Sequence, residues 1–277
     1  MENVFVQSAE NKLSVHLYPP KKEGTSTFII NSALGTKQTY YRHFANYLSE
    51  KGIRVLTYDY SGIGESAPNK MKGFKTSLKQ WGQSDLTTII EYVAANFSSQ
   101  KIILVGQSAG GQVMGLSPSI TKVHALVNVA CQTAYWKKWP MPNRYVLLSN
   151  FKILTMMTNS LGYFPGKRLR IMEDLPKEVA LEWAKWGQSP NYLFDHITEI
   201  ENFYKKLKIP LLAYSFSDDR SAPKETVEWL NAKYENCQVT HKHYKPSDIG
   251  LKKIGHFGFF RKKCQVLWED MLSELER

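Results

Sequence analysis

The feature that most constrains this 277-residue chain is a serine flanked by glycines, directly after a short apolar run. Residues 101–105 (KIILV) have the composition of a buried strand, and residues 106–110 (GQSAG) follow at once. This order predicts a strand, a tight turn and a helix, because glycines let strand and helix approach closely around a strained serine. The turn would hold the Ser108 hydroxyl above the sheet edge, at a helix N-terminus that favours developing negative charge.

Short apolar segments alternate with helical patterns on both sides of this turn, which favours a largely parallel sheet covered on both faces. Residues 5–6 and 13–18 are typical of an opening antiparallel hairpin. Six further strands are predicted at residues 27–30, 53–58, 102–105, 125–129, 210–214 and 237–241. Helices with one apolar face are predicted around residues 41–48 and 86–97, after Pro223, and from about Arg261. The fold class is therefore α/β, with about eight strands flanked by helices.

The alternation stops between residues 132 and 208, which carry no strand signal but many aromatic side chains. We expect a helical cap or lid inserted after the sixth strand, where it would overhang Ser108; extra core is the simpler alternative. The predicted domains are a core of residues 1–131 and 209–277 and a cap of residues 132–208. Four residues of the insertion are candidates for the substrate pocket: Trp136, Trp139, Met156 and His196.

Composition and charge narrow the class of protein. Lys and Arg number 36 against 25 Asp and Glu, a net charge of +11 that is dispersed along the chain. Such a surface is solvated, or attracts an anionic substrate or membrane surface, and no nucleic-acid motif accompanies it. The start of the chain lacks a signal-peptide pattern, no apolar run reaches transmembrane length, and three scattered cysteines suit reduced thiols. These observations predict a cytoplasmic protein and leave its oligomeric state open.

A serine hydroxyl becomes a good nucleophile only with a base, which in turn needs an acid to orient it. Among seven histidines, His256 lies in a glycine-flanked loop before the last helix, at the sheet end where the serine turn opens. Two adjacent carboxylates, Asp218 and Asp219, follow the seventh strand. The chain order serine, aspartate, histidine fits a triad, and the pattern by itself leaves both carboxylates open.

Two other patterns suggest metal or cofactor binding and are not supported. His241 and His243 alternate along one predicted strand but lack a clear third ligand, so we expect no metal site. Residues 62–67 (GIGESA) match a dinucleotide fingerprint, yet Pro68 and Gly73 prevent the helix that such a site requires. We expect no cofactor.

With these residues in place, the chain resembles the α/β-hydrolase superfamily over nearly its whole length. Residues 59–66 (DYSGIGES) look like the D-x-x-G-x-G-x-S loop after the fourth strand in that superfamily. Residues 219–223 (DRSAP) are similar to its D-x-x-x-P arrangement, in which the first residue is the triad acid, and this favours Asp219. Residues 40–42, 182–186 and 255–261 resemble a narrower group of uncharacterised, predicted bacterial α/β hydrolases.

The resemblance implies a catalytic triad of Ser108, Asp219 and His256, with Asp218 as the alternate acid. Many relatives carry His-Gly-x after the third strand, where this chain has residues 31–35 (NSALG). The implied oxyanion donors are the backbone N–H groups of Ala33 and Ala109, with Leu34 as the alternate.

The activity implied is hydrolysis of an ester, thioester or amide through an acyl-serine, as in a carboxylesterase or lipase-like enzyme acting on a small apolar acyl or aryl substrate. The alternatives are an acyltransferase with the same triad and a non-catalytic small-molecule binding module on the same fold.

Overall fold

The predicted strands form one central sheet in the computed structural model, which describes residues 1–9, 11–22, 24–97 and 100–276. Across these residues the sheet has eight strands in the order β1-β2-β4-β3-β5-β6-β9-β10, and β7 and β8 form a separate pair. In chain order the strands are β1 (Glu2–Ser8), β2 (Asn11–Tyr18), β3 (Ser26–Asn31), β4 (Arg54–Tyr58), β5 (Lys101–Gln107), β6 (Ala125–Val129), β7 (Tyr163–Phe164), β8 (Leu175–Pro176), β9 (Pro210–Phe216) and β10 (Gln238–Tyr244).

The sheet is parallel from β4 to β10, and only β2 runs against its neighbours β1 and β4. From β3 the chain first moves outward to β4 and then returns past β3 to β5, so the strand order reverses between β3 and β5. In open parallel sheets this reversal leaves a crevice at the carboxyl ends of the two strands. The topology therefore creates a crevice directly beside the serine turn.

Helices cover both faces of the sheet. Those of the described residues are α1 (Arg42–Glu50), α2 (Leu78–Gln80), α3 (Thr87–Asn96), α4 (Ala109–Gln112), α5 (Asn143–Leu161), α6 (Gly166–Leu169), α7 (Lys177–Gln188), α8 (Lys224–Asn231) and α9 (Gln265–Leu275). A π-helical stretch, Trp81–Leu86, joins α2 to α3. Ile102 and Leu104 of β5 enter one apolar core, and Ile103 and Val105 enter the other. Both faces of β5 are buried, which explains why its sequence is continuously apolar.

The predicted helices are confirmed, and their ends differ where polar residues or short turns intervene. Phe44, Ala45 and Leu48 of α1 are fully buried, as their spacing predicts. The last helix begins at Gln265 instead of near Arg261, because a 3₁₀ turn, Lys262–Cys264, precedes it. β3 and β5 likewise extend to polar residues at their carboxyl ends, which an apolar pattern cannot reveal.

The segment between β6 and β9 contains the long helices α5 and α7, which pack together through Phe151 and Trp183 with ring centroids 5.0 Å apart. The expectation that this segment lacks strands is wrong, because β7 and β8 pair antiparallel within it. Each of these strands has two residues, too few to show the alternation by which strands are recognised.

Candidate active site

The serine turn lies at the crevice where the strand order reverses. β3 and β5 pair in parallel with Asn31 opposite Gly106, so the loop after β3 and the turn after β5 leave the sheet side by side. Ser108 follows β5 directly and precedes α4, which confirms the predicted strand, turn and helix. The Ser108 N–H donates to the Val129 carbonyl of β6 over 3.0 Å, which fixes the turn to the next strand.

The turn is strained and depends on its glycines. Ser108 has φ 50° and ψ −120°. Residues other than glycine rarely adopt this backbone conformation, and those that do cluster at functional sites. A Cβ atom on Gly106 would lie 2.4 Å from the Gly111 Cα, and one on Gly110 would lie 2.2 Å from the Asn31 carbonyl oxygen. Both positions therefore require glycine, for the close approach that the sequence predicts.

Two of the three candidate catalytic side chains are joined by a hydrogen bond. His256 Nδ1 lies 2.8 Å from Asp219 Oδ2, and the Asp219 side chain is almost completely buried. Asp219 Oδ1 accepts a second bond of 2.8 Å from the Ser221 N–H, which fixes the carboxylate plane. A carboxylate in this position holds the imidazole with Nδ1 protonated and leaves Nε2 to act as a base.

The neighbouring carboxylate, Asp218, contacts the same loop in a different way. Its two oxygens accept the backbone N–H groups of Ile254 (2.9 Å) and Gly255 (3.0 Å), the residues just before His256. Asp218 thus holds the backbone of the histidine loop, whereas Asp219 contacts the imidazole itself.

Ser108 and His256 line one cavity of about 430 Å³, here called the Ser108 cavity. Within the described residues no hydrogen bond joins Ser108 Oγ to the imidazole. Hydrogen bonds between a nucleophile and its base are often long before substrate binds, so the shared cavity is the relevant observation.

The predicted oxyanion donor Ala33 is already engaged. Its N–H donates to the buried Tyr41 hydroxyl over 2.9 Å, which argues against a free donor at this position. Leu34, the alternate, also lines the Ser108 cavity. Within the described residues, the Leu34 N–H donates no hydrogen bond. Ala109 begins α4, so its N–H has no acceptor inside the helix. The geometry therefore favours the N–H groups of Leu34 and Ala109 as the oxyanion donors, with Leu34 in place of Ala33.

A buried hydrogen-bond chain connects the three loops of the site. The Tyr41 hydroxyl, which accepts from Ala33, donates to Gln107 Oε1 over 2.6 Å, and Gln107 Nε2 donates to the His256 carbonyl over 2.9 Å. Burial raises the pKa of Tyr41 far above its ordinary value, so the hydroxyl stays protonated and keeps donating. Sequence reasoning missed this chain, because Gln107 contacts residues far away along the sequence.

Tyr41→Phe should lower the free energy of unfolding by about 1–3 kcal/mol, because it leaves the buried Ala33 N–H and Gln107 amide oxygen without partners. Urea unfolding monitored by tryptophan fluorescence measures this change. The matched control is Tyr40→Phe, which removes a partly buried hydroxyl that contacts the Phe257 carbonyl and the Arg261 side chain, and it should have a smaller effect. Equal stabilities of the two variants would contradict a structural role for the chain.

The Ser108 cavity is mainly apolar, and residues of the segment between β6 and β9 line it. Trp139 and Trp183 line it, together with residues of α5 that share one helical face: Asn143, Val146, Leu147 and Asn150. Their spacing of i, i+3, i+4 and i+7 is the signal by which the sequence could have identified this face. Arg220 also lines the cavity and adds a cation to it.

Of the four predicted pocket residues, Trp139 lines the cavity and the other three lie elsewhere. Met156 is 63% exposed on the opposite side of α5. His196 Nε2 lies 2.7 Å from Ser189 Oγ after α7, and the Trp136 ring contacts that of Tyr145. Residue type and chain position selected these three, but the helix face on which each lies decides what it contacts.

The two histidines of β10 share one hydroxyl. His241 Nε2 and His243 Nδ1 lie 2.8 and 2.7 Å from Ser215 Oγ. No group of three or more His, Cys, Asp or Glu side chains suited to a metal ion occurs among the described residues.

In the same residues, every helix is too short or too polar to cross a bilayer.

Solved structures share this fold over nearly their whole length. A soluble variant of monoglyceride lipase from Saccharomyces cerevisiae has a TM-score of 0.73 at 12% identity, covering 99% of this chain and 94% of its own. The α/β hydrolase GrgF from Penicillium sp. sh18 has a TM-score of 0.67 at 17% identity, covering 100% and 98%. Est1E from Butyrivibrio proteoclasticus, solved with ferulic acid, has a TM-score of 0.64 at 16% identity, covering 99% and 100%. The fold is that of the α/β hydrolases.

The family model described as serine aminopeptidase, S33 matches residues 25–247, which is most of the chain. The chain therefore belongs to this family of α/β hydrolases. No curated protein matches it in sequence. The predicted superfamily is confirmed, and the family indicates a serine hydrolase.

Proposed function

We propose that the protein hydrolyses a carboxylic acyl bond, most readily that of an ester, through an acyl-Ser108 intermediate. The observation that carries this proposal is the 2.8 Å contact between His256 Nδ1 and Asp219 in the cavity that also holds the strained Ser108. A base oriented by a buried carboxylate, next to a serine presented on a strained turn, is the arrangement that activates a hydroxyl for acyl transfer.

In the proposed reaction, His256 Nε2 takes the Ser108 proton as Oγ attacks the substrate carbonyl carbon. The carbonyl oxygen becomes an oxyanion, which accepts the N–H groups of Leu34 and Ala109. The tetrahedral intermediate collapses, the bond to the leaving group breaks, and the imidazolium gives its proton to that group. Water, activated by the same histidine, then releases the acid and restores Ser108. Asp219 supports the imidazolium throughout and remains ionised.

The cavity walls support an apolar acyl or aryl group on the substrate. Trp139, Leu147 and Trp183 offer apolar and aromatic surface, which binds such groups by excluding water. The similar structures of a monoglyceride lipase and of an enzyme with ferulic acid bound favour a small-molecule ester over a peptide. We further propose that residues 132–208 act as a cap on a core of residues 1–131 and 209–277, because residues of α5 and α7 line the cavity.

Fluorophosphonate labelling tests the proposal, because this reagent phosphonylates serines that a base has activated. Wild-type protein should be labelled on Ser108, as peptide mass spectrometry would locate it. The label should persist in Ser221→Ala, which removes another serine of the same cavity. Absence of labelling would support a binding module without catalysis, and labelling of a different serine would exclude Ser108 as the nucleophile.

A panel of nitrophenyl esters of graded acyl length then defines the substrate. We expect the highest kcat/KM for medium or aromatic acyl groups that fill the cavity of about 430 Å³. The products distinguish hydrolysis from acyl transfer: free acid should form at the same rate with and without added alcohols or amines. Predominant transfer to an added acceptor would instead identify an acyltransferase.

A further inference from the structure

A second cavity, of about 770 Å³, adjoins the Ser108 cavity. We call it the basic groove, because Lys37, Arg42, Arg261 and Lys262 line it. The two cavities have common walls, formed by the loop after β3, the segment before β8 and the residue after His256. The shared residues are Gly35, Thr36, Ile171, Met172 and Phe257. The two cavities are therefore adjacent, and a substrate group that passes these shared residues from Ser108 would enter the basic groove.

The charges of the basic groove are not balanced by its own carboxylate. Glu173 is the one acidic residue among those that line it, and it is bridged by two lysines, Lys37 at 3.3 Å and Lys167 at 3.0 Å. Arg42, Arg261 and Lys262 form no ion pair within the described part of the chain. Three cations without carboxylate partners thus face a groove large enough for a polar substrate group.

The titration of a neighbouring histidine reflects the same positive potential. His43 lies in the wall of the basic groove, and its pKa is lowered, first by desolvation and then by the charges of Lys262 and Arg42. Cations that disfavour a protonated histidine favour an anion in the same place.

The position of the basic groove relative to His256 indicates which part of the substrate enters it. The histidine that accepts the Ser108 proton returns it to the leaving group, so the leaving group must lie next to the imidazole. Phe257, the residue after His256, belongs to the walls of both cavities. A leaving group that passes Phe257 would therefore enter the basic groove, and the apolar walls to which α5 and α7 contribute would then receive the acyl group.

We propose that the basic groove binds a phosphate on the leaving group of the substrate, an inference that rests on the proposed acyl-serine chemistry. The substrate class is an acyl ester or thioester whose alcohol or thiol carries a phosphate. Guanidinium groups bind phosphate oxygens through paired, charge-assisted hydrogen bonds, which suits Arg42, and the Lys262 ammonium group adds a second positive charge. Two sources share this chemistry, a phosphorylated glycerol and a phosphopantetheine thiol.

Matched substrate pairs that differ only by the phosphate test the proposal. The pairs are octanoyl-pantetheine with octanoyl-phosphopantetheine, and monooctanoylglycerol with its phosphate monoester. We expect kcat/KM to be roughly tenfold higher for the phosphorylated member of at least one pair, as charge-assisted contacts to an anion imply. The pair that shows the preference identifies the source, and added salt should reduce the preference.

The variant Arg42→Gln/Lys262→Gln should bring the kcat/KM ratio of that pair close to one. The matched control, Lys51→Gln/Lys101→Gln, removes two charges as well and should keep the wild-type ratio. Lys51 ends the turn after α1 and Lys101 begins β5, so both lie towards the other end of the sheet, in a separate cavity. An unchanged ratio in the Arg42/Lys262 variant, or no preference in the wild-type enzyme for either pair, would overturn the proposal.

A binding measurement separates failure of this proposal from failure of the proposed function. Calorimetric titration with phosphopantetheine and with glycerol phosphate needs no turnover. Binding of one of them to the wild type, weakened in the Arg42/Lys262 variant and not in the control, supports the basic groove even if no ester is hydrolysed. Hydrolysis of both members of each pair at equal rates, without such binding, rejects the basic groove and retains the hydrolase.

Discussion

Ser108→Ala is expected to reduce kcat for the best ester substrate by roughly 10⁴- to 10⁶-fold, while the protein keeps its wild-type stability. The loss is large because the nucleophile and its base act as a unit, so that removing one makes the other useless. Stability should be retained because Ser108 Oγ makes no hydrogen bond within the described residues, and alanine leaves no buried partner unsatisfied. Steady-state kinetics with that ester and thermal unfolding measure the two quantities on the same samples.

The stability measurement also makes the kinetic result interpretable. A variant that is inactive and unfolded would say nothing about the nucleophile, and Ser108→Gly then provides the second case, because glycine adopts φ 50° without strain. Activity above a tenth of the wild-type level in a folded variant would exclude Ser108 as the nucleophile.

Asp219→Asn is expected to lower kcat by roughly 10³- to 10⁴-fold with little change in KM. An asparagine amide facing His256 Nδ1 would favour the imidazole form with its proton on Nε2, which cannot take the proton of Ser108. The site would keep its shape, because the amide oxygen still accepts the Ser221 N–H. Single-turnover kinetics with a chromogenic ester measures the acylation step directly.

The control for this prediction is the adjacent carboxylate. Asp218→Asn offers one acceptor where two backbone N–H groups now bind, so the loop before His256 loses a hydrogen bond. We expect about 1–3 kcal/mol lower stability and a much smaller loss of kcat than in Asp219→Asn. The reverse ranking of the two variants in kcat would assign the acid to Asp218.

Much of the fold could be predicted because hydrophobic pattern and chain order both record it. β5 is continuously apolar because both its faces are buried, and α1 shows its apolar face at helical spacing. β7 and β8 escaped prediction because two residues carry no periodicity. Their pairing depends on the tertiary position of the segment, which is not written in any local pattern.

The candidate site was predictable to the extent that its residues follow strands. Ser108 follows β5, the Asp218–Asp219 pair follows β9, and the carboxyl ends of parallel strands meet at one edge of the sheet. Which aspartate faces His256 depends on a single residue of register after β9, and chain order alone does not determine it. The resemblance to a known motif favoured Asp219, and that is the carboxylate that contacts the imidazole.

The choice of oxyanion donor depends on a contact that no local sequence pattern records. Ala33 and Leu34 are adjacent, and either N–H suits the role by position. The choice depends on the Tyr41 hydroxyl, which lies eight residues along the chain and reaches the Ala33 N–H only after α1 packs on the sheet. A hydrogen bond formed by tertiary packing therefore favours Leu34 over Ala33, two candidate donors that the sequence cannot distinguish.

The wall shared by the two cavities has a consequence for how this enzyme can diverge. Trp183 borders only the Ser108 cavity and Arg42 only the basic groove, so in the proposed substrate orientation substitutions there would alter preference for one half of the substrate at a time. Ile171 and Met172 border both cavities, and the adjacent Glu173 N–H donates to the Gly35 carbonyl of the loop after β3. In the proposed orientation, a substitution of Ile171 or Met172 would shift selectivity for the acyl group and for the leaving group together. The two selectivities would therefore evolve together.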